Sequence, residues 1–329
     1  MRRLVRCAQY ALARRRGAVC LVVLIAGAFL AASCQTITGS SADRGEAVKR
    51  STGELASGLH HEVRGSGPAV LLVHGFGLHS YTWRHLADPL AREHTVITVD
   101  LKGFGQSAMP EDGRYSVFDQ AELLHAFILQ HDLADVTLVG HSFGGAVALV
   151  TASRLAEEDP SRLSKLVLID SVAYEQPYPK FIRQIRMPVL GRLGLWAIPP
   201  ERLVRTALRE CYHDETAITE DAVRVYAAAL KYPAARHALR ATARRMDPID
   251  SKEIAAFVSR ITVPTLILWG REDTVTPLRV ALQLHETLPQ SRLEIIENCG
   301  HIPQEERPEE TLRIVEGFLE NPTGSDSTE

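Results

Sequence analysis

Residues 136–150 constrain this chain more than any other stretch. Val136-Thr137-Leu138-Val139 runs into Gly140-His141-Ser142-Phe143-Gly144, and a small-residue run from Gly145 to Val150 leaves it. The order is strand, sharp turn, helix. In so tight a turn the neighbours of Ser142 must be small, as Gly140, Gly144 and Gly145 are. The Ser142 hydroxyl then stands clear of the backbone, over the start of the following helix. A serine held there is a candidate for covalent chemistry. An ordinary glycine-rich turn looks the same over five residues, so the partners elsewhere in the chain decide.

Strands and helices alternate from about His60 onward. Ala69 to Val73, Thr95 to Val99, Leu166 to Ile169, Pro264 to Leu268 and Leu293 to Ile296 read as short apolar strands. Tyr81 to Glu93, Val117 to Leu133 (with Ser116 as its cap) and about Pro308 to Leu319 read as helices. Such alternation predicts a mostly parallel sheet covered on both faces, with ligands at the carboxyl ends of the strands. Between Val172 and Ser251 no strand stands out. Helical periodicity dominates there, in Pro200 to Cys211, Thr219 to Lys231 and Ala234 to Arg245. About 80 residues is too long for a simple crossover, so residues 172–251 read as an inserted helical cap. The cap carries 13 basic residues and fewer acidic ones, which reads first as a solvated helical surface and second as a patch for anions or membrane.

A serine hydroxyl needs a base, and the base needs a carboxylate on its other nitrogen. Two segments after Ser142 supply them. Trp269-Gly270-Arg271-Glu272-Asp273-Thr274-Val275-Thr276-Pro277 follows an apolar strand, and Asn298-Cys299-Gly300-His301-Ile302-Pro303 follows the last one. With His74-Gly75-Phe76-Gly77, Asp100 through Gly103-Phe104-Gly105-Gln106-Ser107, and Glu306, these motifs resemble the capped α/β-hydrolase family over about residues 58–320. The resemblance implies an α/β-hydrolase fold with cores at 59–171 and 252–320. It implies Ser142 as nucleophile, Asp273 as acid and His301 as base. Asp170 and Glu272 stay open as alternative acids, and Asp273 could also cap the turn before Thr276-Pro277. Of the two backbone N–H groups needed for the developing oxyanion, one belongs to Phe143, the residue after the serine. The resemblance implies Phe76 for the other. His74 and His141 read as structural or pocket-lining, and Asp100 as a turn carboxylate.

Relatives that resemble haloalkane dehalogenases and epoxide hydrolases carry aspartate where this chain has Ser142. Carbon–carbon hydrolases use serine, with a Gly/Pro-rich oxyanion loop and an aromatic after the histidine. Here the loop is Phe76-Gly77-Leu78-His79 and the residue after His301 is Ile302. The expectation is therefore hydrolysis of a carboxylic ester or similar small acyl compound. Carbon–carbon hydrolysis, acyl transfer and a non-catalytic binding protein are the alternatives. Phe76, Phe143, Trp83, Tyr174 and Trp196 are candidates for an apolar acyl pocket.

The first 33 residues differ from the rest. Six arginines carry all their charge, and Gly17 to Ser33 is uncharged and apolar. This is the order of an export signal. Its end, Leu30-Ala31-Ala32-Ser33-Cys34, resembles a bacterial lipoprotein signal with Cys34 as the lipid site. An uncleaved anchor and a released protein are the other readings, and all three place the rest outside the cytoplasm. Residues 34–58 read as a tether and 321–329 as a disordered tail. Without the signal the chain holds 31 basic and 40 acidic residues, a net of −9, which argues against nucleic acid as a partner. No metal or cofactor is expected, since neither C-x-x-C nor H-E-x-x-H spacing occurs. Cys211 and Cys299 could pair in an oxidising compartment, but their positions do not require it. The oligomeric state is left open.

Overall fold

A computed structural model describes residues 50–54, 58–246 and 251–322. The expected signal at 1–33, Cys34, most of the expected tether and the tail from 323 lie outside the described residues. In chain order the structure runs through β1 (Arg50–Glu54), β2 (His60–Gly65), β3 (Ala69–Val73), a 3-10 turn (Ser80–Trp83), α1 (Ala87–Leu90) and β4 (Thr95–Val99). It continues with α2 (Val117–Gln130), β5 (Val136–His141), α3 (Phe143–Glu158) and β6 (Leu163–Ile169). Six helices follow: α4 (Lys180–Arg186), α5 (Leu190–Ala197), α6 (Pro200–Cys211), α7 (Glu220–Ala229), α8 (Pro233–Arg245) and α9 (Ser251–Val258). The chain then closes with β7 (Thr265–Gly270), α10 (Arg279–Thr287), β8 (Ser291–Ile296), α11 (Pro303–Glu306) and α12 (Pro308–Glu320).

The strands form one sheet in the order β1-β2-β4-β3-β5-β6-β7-β8. β2 pairs antiparallel with β1 and β4, and every pairing from β4 to β8 is parallel. The parallel strands are apolar on both faces because both faces are covered. Leu71, Leu138, Leu168 and Ile267 pack under α2, α3 and α10. Val70, Leu72, Val139 and Val167 pack with Trp83, Leu86, Val315 and Phe318 on the other face. The chain steps from β3 to β4 on one side, then back past β3 to β5 on the other. That reversal opens a crevice at the carboxyl ends of β3 and β5, where ligands of such sheets bind.

Two local readings are corrected. The single helix expected over Tyr81 to Glu93 is instead a 3-10 turn and the four-residue α1. Trp83, Leu86, Ala87 and Leu90 are all buried, a helical spacing, but Pro89 lacks the N–H that would continue the ladder. Residues 50–54, expected within the tether, form β1 on β2. Their polar sequence, Arg-Ser-Thr-Gly-Glu, shows no apolar alternation, because an edge strand is set by main-chain pairing more than by burial. Ser116 caps α2 as expected, in a full capping box with Asp119.

Candidate active site

Ser142 joins β5 to α3 with φ +53° and ψ −119°, a conformation that L residues adopt at a cost. The turn is held by close backbone approach. A Cβ on Gly140 would stand 2.5 Å from the Gly144 carbonyl oxygen, and one on Gly144 2.4 Å from that of His74. The Ser142 Oγ lies 2.8 Å from His301 Nε2, and His301 Nδ1 lies 2.7 Å from Asp273 Oδ2. All three residues are buried. The sequence order Ser142, Asp273, His301 thus closes into one hydrogen-bonded chain.

The loop after β7 aims Asp273. Its Oδ1 accepts the amides of Val275 at 2.6 Å and Thr276 at 2.9 Å, while the Thr276 hydroxyl donates to Oδ2. The Trp269 indole N–H fixes the same loop through the Thr276 carbonyl at 2.8 Å. Asp273 is therefore both the turn-capping carboxylate and the partner of His301. Burial alone would raise its pKa, but His301, its hydrogen bond and those from Asp170 and Thr276 hold it below the usual carboxylate range. Asp170, the alternative acid, is also buried here, and its ligand atoms lie within 4.8 Å of those of Asp273 and His301. Its Oδ1 accepts the Gly270 amide at 3.0 Å. Burial, then the charge and hydrogen bond of Asp273, push its pKa well up. Asp170 thus stands behind the Asp273 carboxylate and holds its proton more tightly than a free carboxyl does. Glu272 faces away and accepts the Cys299 amide at 2.9 Å.

The loop after β3 comes against the serine. A Cβ on Gly75 would stand 3.1 Å from Ser142 Cβ, so Phe76 follows directly beside it. As the first residue of α3, Phe143 offers an amide with no partner inside the helix. His74 and His141 do not face the serine as bases. His74 Nδ1 donates to the Gly75 carbonyl at 2.8 Å, and its Nε2 accepts the Leu101 amide at 2.9 Å. Burial lowers its pKa to about 4. His141 Nε2 donates to the His301 carbonyl at 2.7 Å, and burial, then the charge of His301, lowers its pKa to about 3. Asp100 accepts the Ser80 amide at 2.7 Å and the Gln106 amide at 2.9 Å, as a turn carboxylate should.

A cavity of about 610 Å³ opens from Ser142 between the sheet and helices α4, α5, α6 and α8. Phe76, Phe143 and Tyr174 line it as expected, together with Phe181, Leu195, Leu208 and Leu239. Two expected members do not. Trp83 packs on the opposite face of the sheet, and Trp196 is 76% exposed. Among the described Lys, Arg, Asp and Glu residues, only Arg202 lines the cavity. Cys211 and Cys299 are buried free thiols.

Two positions beside the site are not legible in the sequence. Thr276 stands there only as a neighbour of Asp273. Glu305 is a buried carboxylate that accepts from Thr82 at 2.7 Å, Arg84 at 2.8 Å, Tyr226 at 2.5 Å and Tyr212 at 3.1 Å. Its only local signal was its place in a helix start after His301, since its partners are 79 to 223 residues away.

Residues 68–308 match the family described as alpha/beta hydrolase fold. An uncharacterised protein of Mycobacterium tuberculosis is 31% identical over 269 residues, 78% of this chain and 77% of the relative. A 2-hydroxymuconate semialdehyde hydrolase of Pseudomonas putida is 29% identical over 275 residues, 80% of this chain and 92% of the relative. Among solved structures, 2-hydroxy-6-oxo-6-phenylhexa-2,4-dienoate hydrolase from Rhodococcus sp. strain RHA1 is similar, with a TM-score of 0.71 and 25% identity. The match covers 83% of this chain and 99% of that one.

Proposed function

The chain belongs to the α/β-hydrolase family, and from that premise we propose that it cleaves a carboxylic ester of an apolar acyl group through an acyl-enzyme. Ser142 Oγ attacks the ester carbonyl while His301 Nε2 takes its proton. Asp273 holds His301 and stabilises the imidazolium. The amides of Phe143 and Phe76 receive the oxyanion. His301 then returns the proton to the departing alkoxide, which leaves as the alcohol. Water, deprotonated by His301, attacks the acyl-enzyme, and the acid departs as Ser142 regains its proton. The observation that carries the reading is the unbroken Asp273–His301–Ser142 chain opening into a large apolar cavity.

A fluorophosphonate probe should label the wild type and leave Ser142→Ala unlabelled. Hydrolysis of p-nitrophenyl esters should rise with acyl length until the cavity is filled, and Ser142→Ala should lose about 10⁴-fold or more in kcat. Labelling that persists in Ser142→Ala would refute the assignment.

A second reading is carbon–carbon bond hydrolysis, which the names of two relatives suggest. Arg202, which lines the cavity, is a cation that could meet a substrate carboxylate there. Turnover of a ring-cleavage dienoate, followed by loss of its absorbance, with no turnover of esters, would favour it. The reading also keeps the N-terminal segment as an export signal with a lipid on Cys34, on the envelope side of a bacterial membrane. Palmitate incorporation should disappear in Cys34→Ala.

A further inference from the structure

The cap carries an apolar surface that its own fold does not cover. Among the described residues, six of the ten exposed large apolar side chains fall within residues 187–198. They are Met187, Val189, Leu190, Leu193, Trp196 and Ile198, with Leu190 at 67% exposure and Trp196 at 76%. Scattered exposed apolar side chains are ordinary, but a run of this density is not. Met187, Leu190 and Ile198 also line the cavity that reaches Ser142. The patch is therefore the rim of the cavity mouth.

Among the described residues, the three helices that carry and flank it hold charge of one sign. Helices α4, α5 and α8 pack together, and their sequences hold eight Lys and Arg residues and no Asp or Glu. Partial burial, then the charges of Arg244 and Arg192, lower the pKa of Arg240, so these three guanidiniums crowd one another. Arg240 is held there by a 2.7 Å bond to the Pro188 carbonyl in the turn between α4 and α5. At the far end of α4, Glu210 accepts the Lys180 amide at 3.0 Å. Exposed Trp, Leu and Val beside a basic apron is the composition of a surface that lies in the plane of an anionic bilayer. No helix among the described residues is long and apolar enough to cross a membrane, so this is a surface contact and not a span.

We propose that residues 187–198, ringed by the bases of α4, α5 and α8, dock onto an anionic phospholipid surface and open the cavity mouth into its acyl layer. The substrate would then be a lipid-borne ester whose chain enters without crossing water. This last step rests on the hydrolase reading above, whereas the docking does not.

The full chain carries its own reporter. Of its three tryptophans, Trp83 and Trp269 are fully buried and Trp196 is exposed. The full-length protein is mixed with phosphatidylcholine vesicles containing about a third phosphatidylglycerol, with bromine on the acyl chains. The expected result is quenching of tryptophan emission that vanishes in Trp196→Phe. Arg192→Glu with Arg244→Glu should weaken the vesicle dependence of that quenching about tenfold. Their hydrolysis of a short, water-soluble ester should not change. Ser142→Ala should be quenched like the wild type, so docking can succeed or fail independently of the chemistry. If Trp196 stays open to aqueous iodide on every vesicle, the proposal is overturned. It is equally overturned if Trp196 is shielded without lipid and sedimentation shows a second copy seated on the patch. A quench indifferent to both the charge reversals and the phosphatidylglycerol would also reject it.

Discussion

Asp273 divides its two oxygens between its own turn and His301. Oδ1 closes the turn through two amides, and Oδ2 meets His301 and the Thr276 hydroxyl. Removing that hydroxyl frees the carboxylate to rotate while the cavity keeps its shape. Thr276→Val should lower kcat about tenfold with KM almost unchanged, measured on a soluble ester. A rise in KM alone would make Thr276 a shape residue instead. Behind Asp273, Asp170 titrates with the opposite sign from a paired carboxylate. Its pKa is raised above 3.8, so the folded state keeps a proton that the unfolded chain gives up. Its contribution to stability is whole below about pH 3.8 and erodes as pH rises toward its folded pKa. Asparagine does not titrate, keeps the acceptor for Gly270, can donate to Asp273, and tolerates the φ of +43° found here. Asp170→Asn should therefore raise Tm at pH 7 more than at pH 4. Equal shifts at the two pH values would sink the account of a raised Asp170 pKa.

Helices and strands were legible where their apolar residues repeat at one spacing. The bounds of β3, β4 and α6 match their sequence readings, because the two strands are apolar runs buried on both faces and α6 buries one regular stripe. Helices α4 and α5 were not singled out, since Pro177, Pro179, Pro188, Gly191 and Gly194 interrupt any period. The turn at Ser142 was legible from its glycines, and it gives a direct test. Ala in place of Gly144 puts a methyl group 2.4 Å from a backbone oxygen that cannot step aside. Gly144→Ala should destabilise the protein by about 3 kcal/mol, read from a urea midpoint. The Glu305 cluster was not legible, because it joins the Ser80–Trp83 turn, α7, the end of α6 and α11 across long loops. It ties the cap to the sheet through Tyr226 and Tyr212. Tyr226→Phe should cost about 2 kcal/mol, the range for a hydrogen bond to a charged group. The double variant with Tyr212→Phe should cost less or more than the sum of the two, since both act on one carboxylate.

Across the whole molecule, the triad was readable because its order along the chain matches its order at the strand ends. What could not be read was how the ends are wired together. His74 and His141 belong to that wiring, and both are neutral in the fold. Their folded pKa values are about 4 and about 3, against 6.5. The unfolded chain takes up protons below pH 6.5 that the folded state refuses, so stability should fall as pH drops from 6.5 toward 4. Urea midpoints at pH 5 and pH 7 check the direction, and a higher midpoint at pH 5 would contradict it. The His301 amide bonds at 2.6 Å to the carbonyl of Cys211, the last residue of α6, and a Cβ on Gly300 would stand 2.3 Å from that oxygen. The cap thus braces His301 through main-chain atoms. Side chains along α6 can drift over generations, remoulding what the cavity admits, while the bracing of His301 passes unchanged from one variant to the next.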